Sequence, residues 1–345
     1  MRAAVLRGGH MIVRDDVAEP TAGVGQVLVE VKACGICGSD LHFAKHGASM
    51  VELIEQMRGG PAVGVSRVDL GRDVFMGHEF AAEVLDIGPD TTGPAVGTLV
   101  TSVPVMVTAA GVSDLAYSND LPTGYGERML LSAPLALTVP NGLDARRAAL
   151  TEPMAVGLHA VNRSGITAGE GAVVIGCGPV GIAVIAALVR RGIEPIVASD
   201  FSPMRRSLAT EMGAHHVIDA ATDDVFDAWA ARGGARQLVV FEAVGVPGVI
   251  DGALRAAPMG TRIVVVGVCM GADRLTPFWG IVKELSIQFV FGYDLAEFSD
   301  TLLAIAEGAF DVTPMITGEV GIDGVPGAFE DLSHPDRHCK ILVTG

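Results

Sequence analysis

At 345 residues, half of them hydrophobic, the chain is long enough for two domains and can bury a core without disulfides. Its 40 acidic side chains against 24 basic ones give a formal net charge of −16, which excludes a phosphate-backbone partner, so no nucleic acid is expected. Five cysteines, an odd number in a long chain, do not read as a disulfide framework. A reduced, cytoplasmic setting with thiols available for metal is expected.

Met1–Leu6 moves directly into an apolar, strand-like run without a signal-peptide layout. Gln26–Lys32 alternates polar and apolar residues as a half-buried strand does, and Phe80–Ile87 and Thr98–Val107 read likewise. Short strands punctuated by Gly and Pro predict a β-rich, barrel-like first domain. Ser49–Met57 carries Val51, Ile54 and Met57 on one face and predicts a short amphipathic helix inside an insertion, 46–73. That insertion is either a surface excursion or a wall of a substrate pocket.

From Gly171 the texture changes. Strands at Val173–Ile175, Ile196–Ser199, Leu238–Glu242 and Ile263–Val266 alternate with helices at Val180–Arg191, Pro203–Met212 and Gly248–Ala256. Such alternation predicts a parallel sheet covered on both faces. Ala172–Val189 is uncharged and nearly membrane-spanning in length, but Gly176, Gly178, Pro179 and Gly181 interrupt it. A strand–turn–helix accounts for all four, so no membrane partner is expected. Ile287–Phe291 is compatible with an exposed pairing strand, and Ile341–Val343 is expected to rejoin the first domain.

Gly176-Cys177-Gly178-Pro179-Val180-Gly181 is a G-x-G-x-x-G between strand and helix. Its glycines allow the tight turn, the approach of a pyrophosphate and close helix packing, and the helix N-terminus offers N–H groups to phosphates. Asp200 closes the next strand, where a carboxylate accepts ribose hydroxyls and repels a 2′-phosphate, favouring NAD over NADP. Arg205 nearby could instead receive that phosphate.

Cys34-Gly35-Ile36-Cys37-Gly38-Ser39-Asp40-Leu41-His42, Gly77-His78-Glu79-Phe80 and Thr151-Glu152-Pro153 gather sulfur, nitrogen and oxygen donors. A catalytic zinc takes three protein ligands and keeps a fourth position open, and Cys37, His78 and Glu152 would supply one of each kind. Cys34 and Cys37 also form a C-x-x-C, but a redox pair is expected beside a βαβ unit rather than in a β-rich region. Cys34, Cys177, Cys269 and Cys339 are read as structural. His10, His46, His159, His215, His216, His334 and His338 show no partner motif, and His215-His216 is expected to be exposed.

ACGICGSDLH, GHEF, TEP followed by a helix, GCGPVG and the closing CKILV together resemble the zinc-dependent alcohol and polyol dehydrogenases of the medium-chain dehydrogenase/reductase superfamily. The resemblance spans nearly the whole chain. It implies a two-domain α/β fold: a GroES-like catalytic domain over 1–154, completed by 293–345, and a doubly wound Rossmann domain over 155–292. By position, Cys37 and His78 match catalytic zinc ligands, and Glu152 falls where a third ligand stands. Glu79 follows the histidine and in relatives can approach or replace a ligand, so the third donor stays open. Asp40 matches an acid that orients the imidazole, and Ser39 and His42 match a proton relay.

The sequence departs from many relatives in one respect. Val100–Arg128, where they hold a second, structural zinc, contains no cysteine, so one zinc per chain is expected. The implied function is hydride transfer between NAD and a primary or secondary alcohol or polyol, by a homodimer or homotetramer. A zinc-free quinone or enoyl-type reductase of the superfamily and a non-catalytic cofactor-binding protein are the alternatives. The reductase would not need Cys37, His78 and Glu152 together, and the intact ligand set and relay argue against the non-catalytic protein.

Overall fold

The structure, a computed structural model, describes residues 1–57, 68–108, 111–232 and 236–345. The middle of the 46–73 insertion and two positions of the 100–128 stretch lie outside the described residues.

The later part of the chain forms one six-stranded sheet in which every pairing is parallel. Its order across the sheet is His216–Asp219, Ile196–Asp200, Gly171–Ile175, Leu238–Glu242, Arg262–Val265 and Ser286–Phe289. The chain therefore starts in the middle, runs to one edge, returns and fills the other side. That reversal opens a crevice above the carboxyl ends of Gly171–Ile175 and Leu238–Glu242, where dinucleotides bind in such sheets. The strands are apolar on both faces because helices cover both. Val173, Val197, Val240 and Ile263 pack with Trp229 on one side. Ala172, Val174, Val239 and Val264 pack with Ile182, Ile185 and Met154 on the other. Each fully buried Val or Ile stabilises the fold by about 1.5–3 kcal/mol.

Two elements here differ from the expectations. His216 opens an edge strand, with its four residues all half-buried, instead of lying in an exposed connection. The helix Val225–Ala230 was also unsignalled, although Asp224 caps it by accepting from the N–H groups of Phe226 and Asp227.

The β-rich part is built around the long strand Gln26–Gly35. Along one edge it pairs antiparallel with Glu79–Ile87. Along the other it pairs first with Arg128–Ser132 and then, at Ala33–Gly35, with the closing strand Lys340–Thr344. The closing strand therefore joins the β-rich sheet. Thr98–Val107 is not one strand: it splits into Leu99–Thr101 and Val105–Thr108 around Pro104, which has no N–H to give to a ladder. The expected Ser49–Met57 helix is the tail of a longer helix, Gly38–Gln56, bent at His46 (φ −127°, ψ 17°). Ile54 is buried on its inner face, whereas Met57 is exposed.

Candidate metal and dinucleotide site

Three sequence segments converge where the long strand ends. Gly35 closes the strand Gln26–Gly35, Cys37 caps the helix Gly38–Gln56, and Glu79 opens the strand Glu79–Ile87. The donor atoms of Cys37, His78 and Glu79 all lie within 4.8 Å of one another. Glu152, in the first turn of the helix Thr151–Ser164, stands outside that group but close enough for His78 and Glu79 to act on its charge. The third donor grouped with Cys37 and His78, an oxygen, is thus that of Glu79.

Asp40 is fully buried one turn into its helix and holds this corner together. Its Oδ2 accepts from the Cys37 N–H (3.2 Å) and from the Tyr125 hydroxyl. Its Oδ1 faces His78 Nδ1 at 3.5 Å, and neither atom has another partner among the described residues. An imidazole held through Nδ1 presents Nε2 to the Cys37 side.

Burial pulls the His78 pKa down, but Asp40 and the Cys37 sulfur outweigh it and hold the imidazole well above its usual value. Burial and the Glu79 charge push the Cys37 thiol up. The negative groups around His78 thus favour positive charge at this point, a demand that a divalent cation would also answer. The set of one thiol, one imidazole and one carboxylate is one that zinc accepts. These residues fit the metal.

Glu79 is fully buried and sits on Lys340, with the ammonium 2.7 Å from each carboxylate oxygen. Lys340 also donates to the Ile36 carbonyl at 3.1 Å. Burial pulls Lys340 down, but the Glu79 charge overrides it and keeps the ammonium charged. Gly35 makes room for the pair, because a Cβ there would stand 2.0 Å from Glu79 Oε2.

The chain has only three tyrosines, and all three border this site. Tyr125 holds Asp40. Tyr117 stacks on Phe43 at 4.3 Å, meets the His78 ring edge-on at 6.3 Å and turns its hydroxyl toward Ser39. Tyr293 is buried near Glu152, and burial and the Glu152 charge together push its phenol well above the usual value. Burial, with Glu79 adding to it, pushes the Glu152 pKa up to about 7 against the pull of His78. Ser39 and His42 lie a turn apart on the helix Gly38–Gln56, both half-buried. Burial, then the His46 and Lys45 charges, lower the His42 pKa.

The glycine turn stands next to this cluster. Gly178 caps the helix Pro179–Arg190, with Pro179 and Val180 in its first turn. A Cβ on Gly181 would lie 1.9 Å from the Gly176 carbonyl, so only glycine lets helix and strand close here. Asp200 ends its strand with Oδ2 accepting from the Cys177 N–H (2.7 Å) and Oδ1 from the Ser202 N–H (2.8 Å). Arg205 lies over Gly178, its Nε buried without a partner among the described residues. Cys339 is near both sites: after burial, the charges of Lys340, Arg205, Glu79 and Asp200 all act on its thiol.

Sequence reasoning did not find Tyr117, Tyr125, Tyr293 or Lys340. The scarcity of tyrosine was the available signal for the first three; nothing in CKILV marks its lysine as the partner of Glu79. His159, read as partnerless, binds Glu297, with 2.7 Å between Nδ1 and Oε2. Cys269, read as structural, is half-buried.

A parallel sheet with a glycine turn, joined to a β-rich domain that carries a thiol–imidazole–carboxylate cluster, defines a class of nicotinamide-dependent metallo-oxidoreductase. Residues 23–140 match the alcohol dehydrogenase GroES-like domain, and residues 179–307 match the zinc-binding dehydrogenase domain. The chain is 32% identical to the (R,R)-butanediol dehydrogenase of Bacillus subtilis (strain 168), over 99% of each chain. The crystal structure of the 2R,3R-butanediol dehydrogenase from Bacillus subtilis superposes with a TM-score of 0.83 at 30% identity, covering 100% of this chain and 99% of that one. The sorbitol dehydrogenase of Bacillus subtilis (strain 168) is 25% identical over 99% of this chain and 97% of its own. A structure from Sinorhizobium meliloti 1021 with NADP bound superposes at a TM-score of 0.81 and 26% identity, covering 100% of this chain and 99% of that one.

The chain belongs to the zinc-type alcohol and polyol dehydrogenases of the medium-chain dehydrogenase/reductase superfamily. Its chemistry is zinc-dependent oxidoreduction of an alcohol or polyol with a nicotinamide cofactor.

Proposed function

We propose that the protein oxidises a secondary alcohol of a small vicinal diol or polyol, reversibly, with NAD as hydride acceptor and one zinc held by Cys37, His78 and Glu79. The observation that carries this reading is the 4.8 Å convergence of those three donors, and the identity to a butanediol dehydrogenase along the full length supports it. A bound zinc supplies Lewis acidity to the alcohol oxygen, and the nicotinamide ring supplies the hydride acceptor.

The chain's own residues do the rest. Asp40 keeps the His78 Nδ1 proton in place, and the Cys37 N–H and Tyr125 keep Asp40 in place. Lys340 balances the charge of Glu79. Ser39 Oγ receives the alcohol proton and passes it toward His42, whose lowered pKa leaves a neutral, basic imidazole at neutral pH. Glu152 and Tyr293 offer hydrogen bonds to a neighbouring substrate oxygen, which favours a diol over a simple alcohol. The glycine turn and the N-terminus of the helix Pro179–Arg190 receive the pyrophosphate. The Asp200 carboxylate at the strand end favours NAD. Phe289 and Phe291 are exposed at the open edge of the parallel sheet, and we infer that this edge pairs with a second copy of the chain.

The test is elemental analysis for zinc beside NAD and NADP reduction with a panel of diols, polyols and simple alcohols. Near one zinc per chain, with NAD reduced fastest on a vicinal diol, is the expected result. Turnover that survives complete metal removal would sink the proposal and favour the zinc-free reductase. Zinc and cofactor bound without turnover on any alcohol would favour the non-catalytic reading.

A further inference from the structure

Glu297 is a buried carboxylate for which the alcohol chemistry has no use. Its Oε2 accepts from the Asp294 N–H at 3.0 Å and from His159 Nδ1 at 2.7 Å, and its Oε1 accepts from Asn162 Nδ2 at 2.7 Å. His159 and Asn162 belong to the helix Thr151–Ser164, whereas Glu297 lies in the first turn of the helix Leu295–Ala306. The carboxylate thus staples the two helices together. Asn162 Oδ1 accepts in turn from Arg191, at the end of the glycine-turn helix.

The staple lies in line with the candidate site. His159 is about two turns along the helix from Glu152 and so shares its face. On the other helix, Asp294 and Glu297 cap one another, Asp294 Oδ1 accepting from the Glu297 N–H at 2.8 Å. The residue before Asp294 is Tyr293, which lies close enough to Glu152 for each to act on the other's proton affinity. Tyr293 belongs to no strand or helix of its own. Its ring packs on Phe298, 5.4 Å between centroids, beside Ala155 of the Glu152 helix. The position of its hydroxyl therefore follows from where the chain enters the helix Leu295–Ala306, and the staple fixes that entry.

We propose that His159, Asn162 and Glu297 are positioning residues that lock the entry of the helix Leu295–Ala306 and so hold the Tyr293 hydroxyl against Glu152 as a rigid wall of the alcohol site. This deepens the functional reading above and rests on it. A purely structural staple would stabilise the helix pair without coupling to Tyr293, and that coupling is measurable.

The variants are Tyr293→Phe, His159→Phe, His159→Asn and the double variant His159→Phe/Tyr293→Phe, read by steady-state kinetics and by amide exchange on the full-length protein. Tyr293→Phe and His159→Phe are each expected to lower kcat/KM for the alcohol about tenfold, as slight misplacement of a site group does, with the KM for cofactor unchanged. The double variant should be no worse than Tyr293→Phe alone, because both remove one coupled interaction. His159→Asn, which keeps an N–H donor near Nδ1, should recover most of the loss. Exchange at Asp294–Glu297 should quicken in His159→Phe, while the strand Gly171–Ile175 stays protected. Additive losses, unchanged exchange at Asp294, or a loss that His159→Asn does not relieve would each overturn the proposal. If the unaltered protein oxidised no alcohol, the functional reading would fail, and the exchange measurement would still decide for or against the staple.

Discussion

Lys340 is fully buried, and among the described residues Glu79 is the one carboxylate that pairs with it. Removing one partner of such a pair leaves an uncompensated buried charge. Lys340→Met is therefore expected to destabilise the metal-free protein by about 3–5 kcal/mol, read from denaturant melts. Glu152 behaves differently because burial raises its pKa to about 7 from the usual carboxylate value of 4.5. Between those two values the folded chain binds more protons than the unfolded one, so this group lowers stability as pH rises, and its cost is complete above about pH 7. In chelator-treated protein, Glu152→Gln should gain about 1–3 kcal/mol near pH 8 and nothing below about pH 4.5. Equal gains at both pH values would show that Glu152 is not held protonated. The sequence marked Cys37, His78, Asp40 and both glutamates, because motif spacing survives in the linear chain. It left the third donor open, because spacing alone does not say whether the side chain of Glu79 or that of the distant Glu152 turns its oxygen toward Cys37 and His78. It was silent on Lys340, whose partner is distant in the chain.

Long periodic elements were legible: the strand Gly171–Ile175, the helix Pro179–Arg190 and the turn between them follow from period and glycine spacing alone. Edges were not. His216–Asp219 pairs on one side only and carries no apolar run, and the helix start at Gly38 is set by contacts of Cys37 and Asp40 that no periodicity announces. The glycine turn allows a sharp test. Gly181→Ala would push a methyl against the Gly176 carbonyl, which a Cβ would approach to 1.9 Å. It should weaken NADH binding at least tenfold, about 1.4 kcal/mol or more, in a fluorescence titration, with zinc content unchanged. Unaltered affinity would mean that the turn does not receive the cofactor.

At the level of the whole molecule, the parallel sheet ends in an open edge, Ser286–Phe289. Phe289 is 68% exposed and Phe291 62%, and Ile281 of the adjoining helix is 74% exposed. A bare apolar strand edge invites pairing. Phe289→Lys is expected to shift the protein toward a slower-sedimenting monomer in analytical ultracentrifugation. A monomer before the substitution would refute the inferred assembly. Across the described residues no helix is long and apolar enough to cross a membrane.

The placement of the aromatic residues gives the protein two separable optical reporters. Both tryptophans, Trp229 and Trp279, pack with the parallel sheet, while the three tyrosines border the cluster around His78, Asp40 and Glu152. Indole emission on cofactor addition therefore reports on the nucleotide half, and ultraviolet difference absorption of the phenols reports on the metal half. Neither signal requires a label.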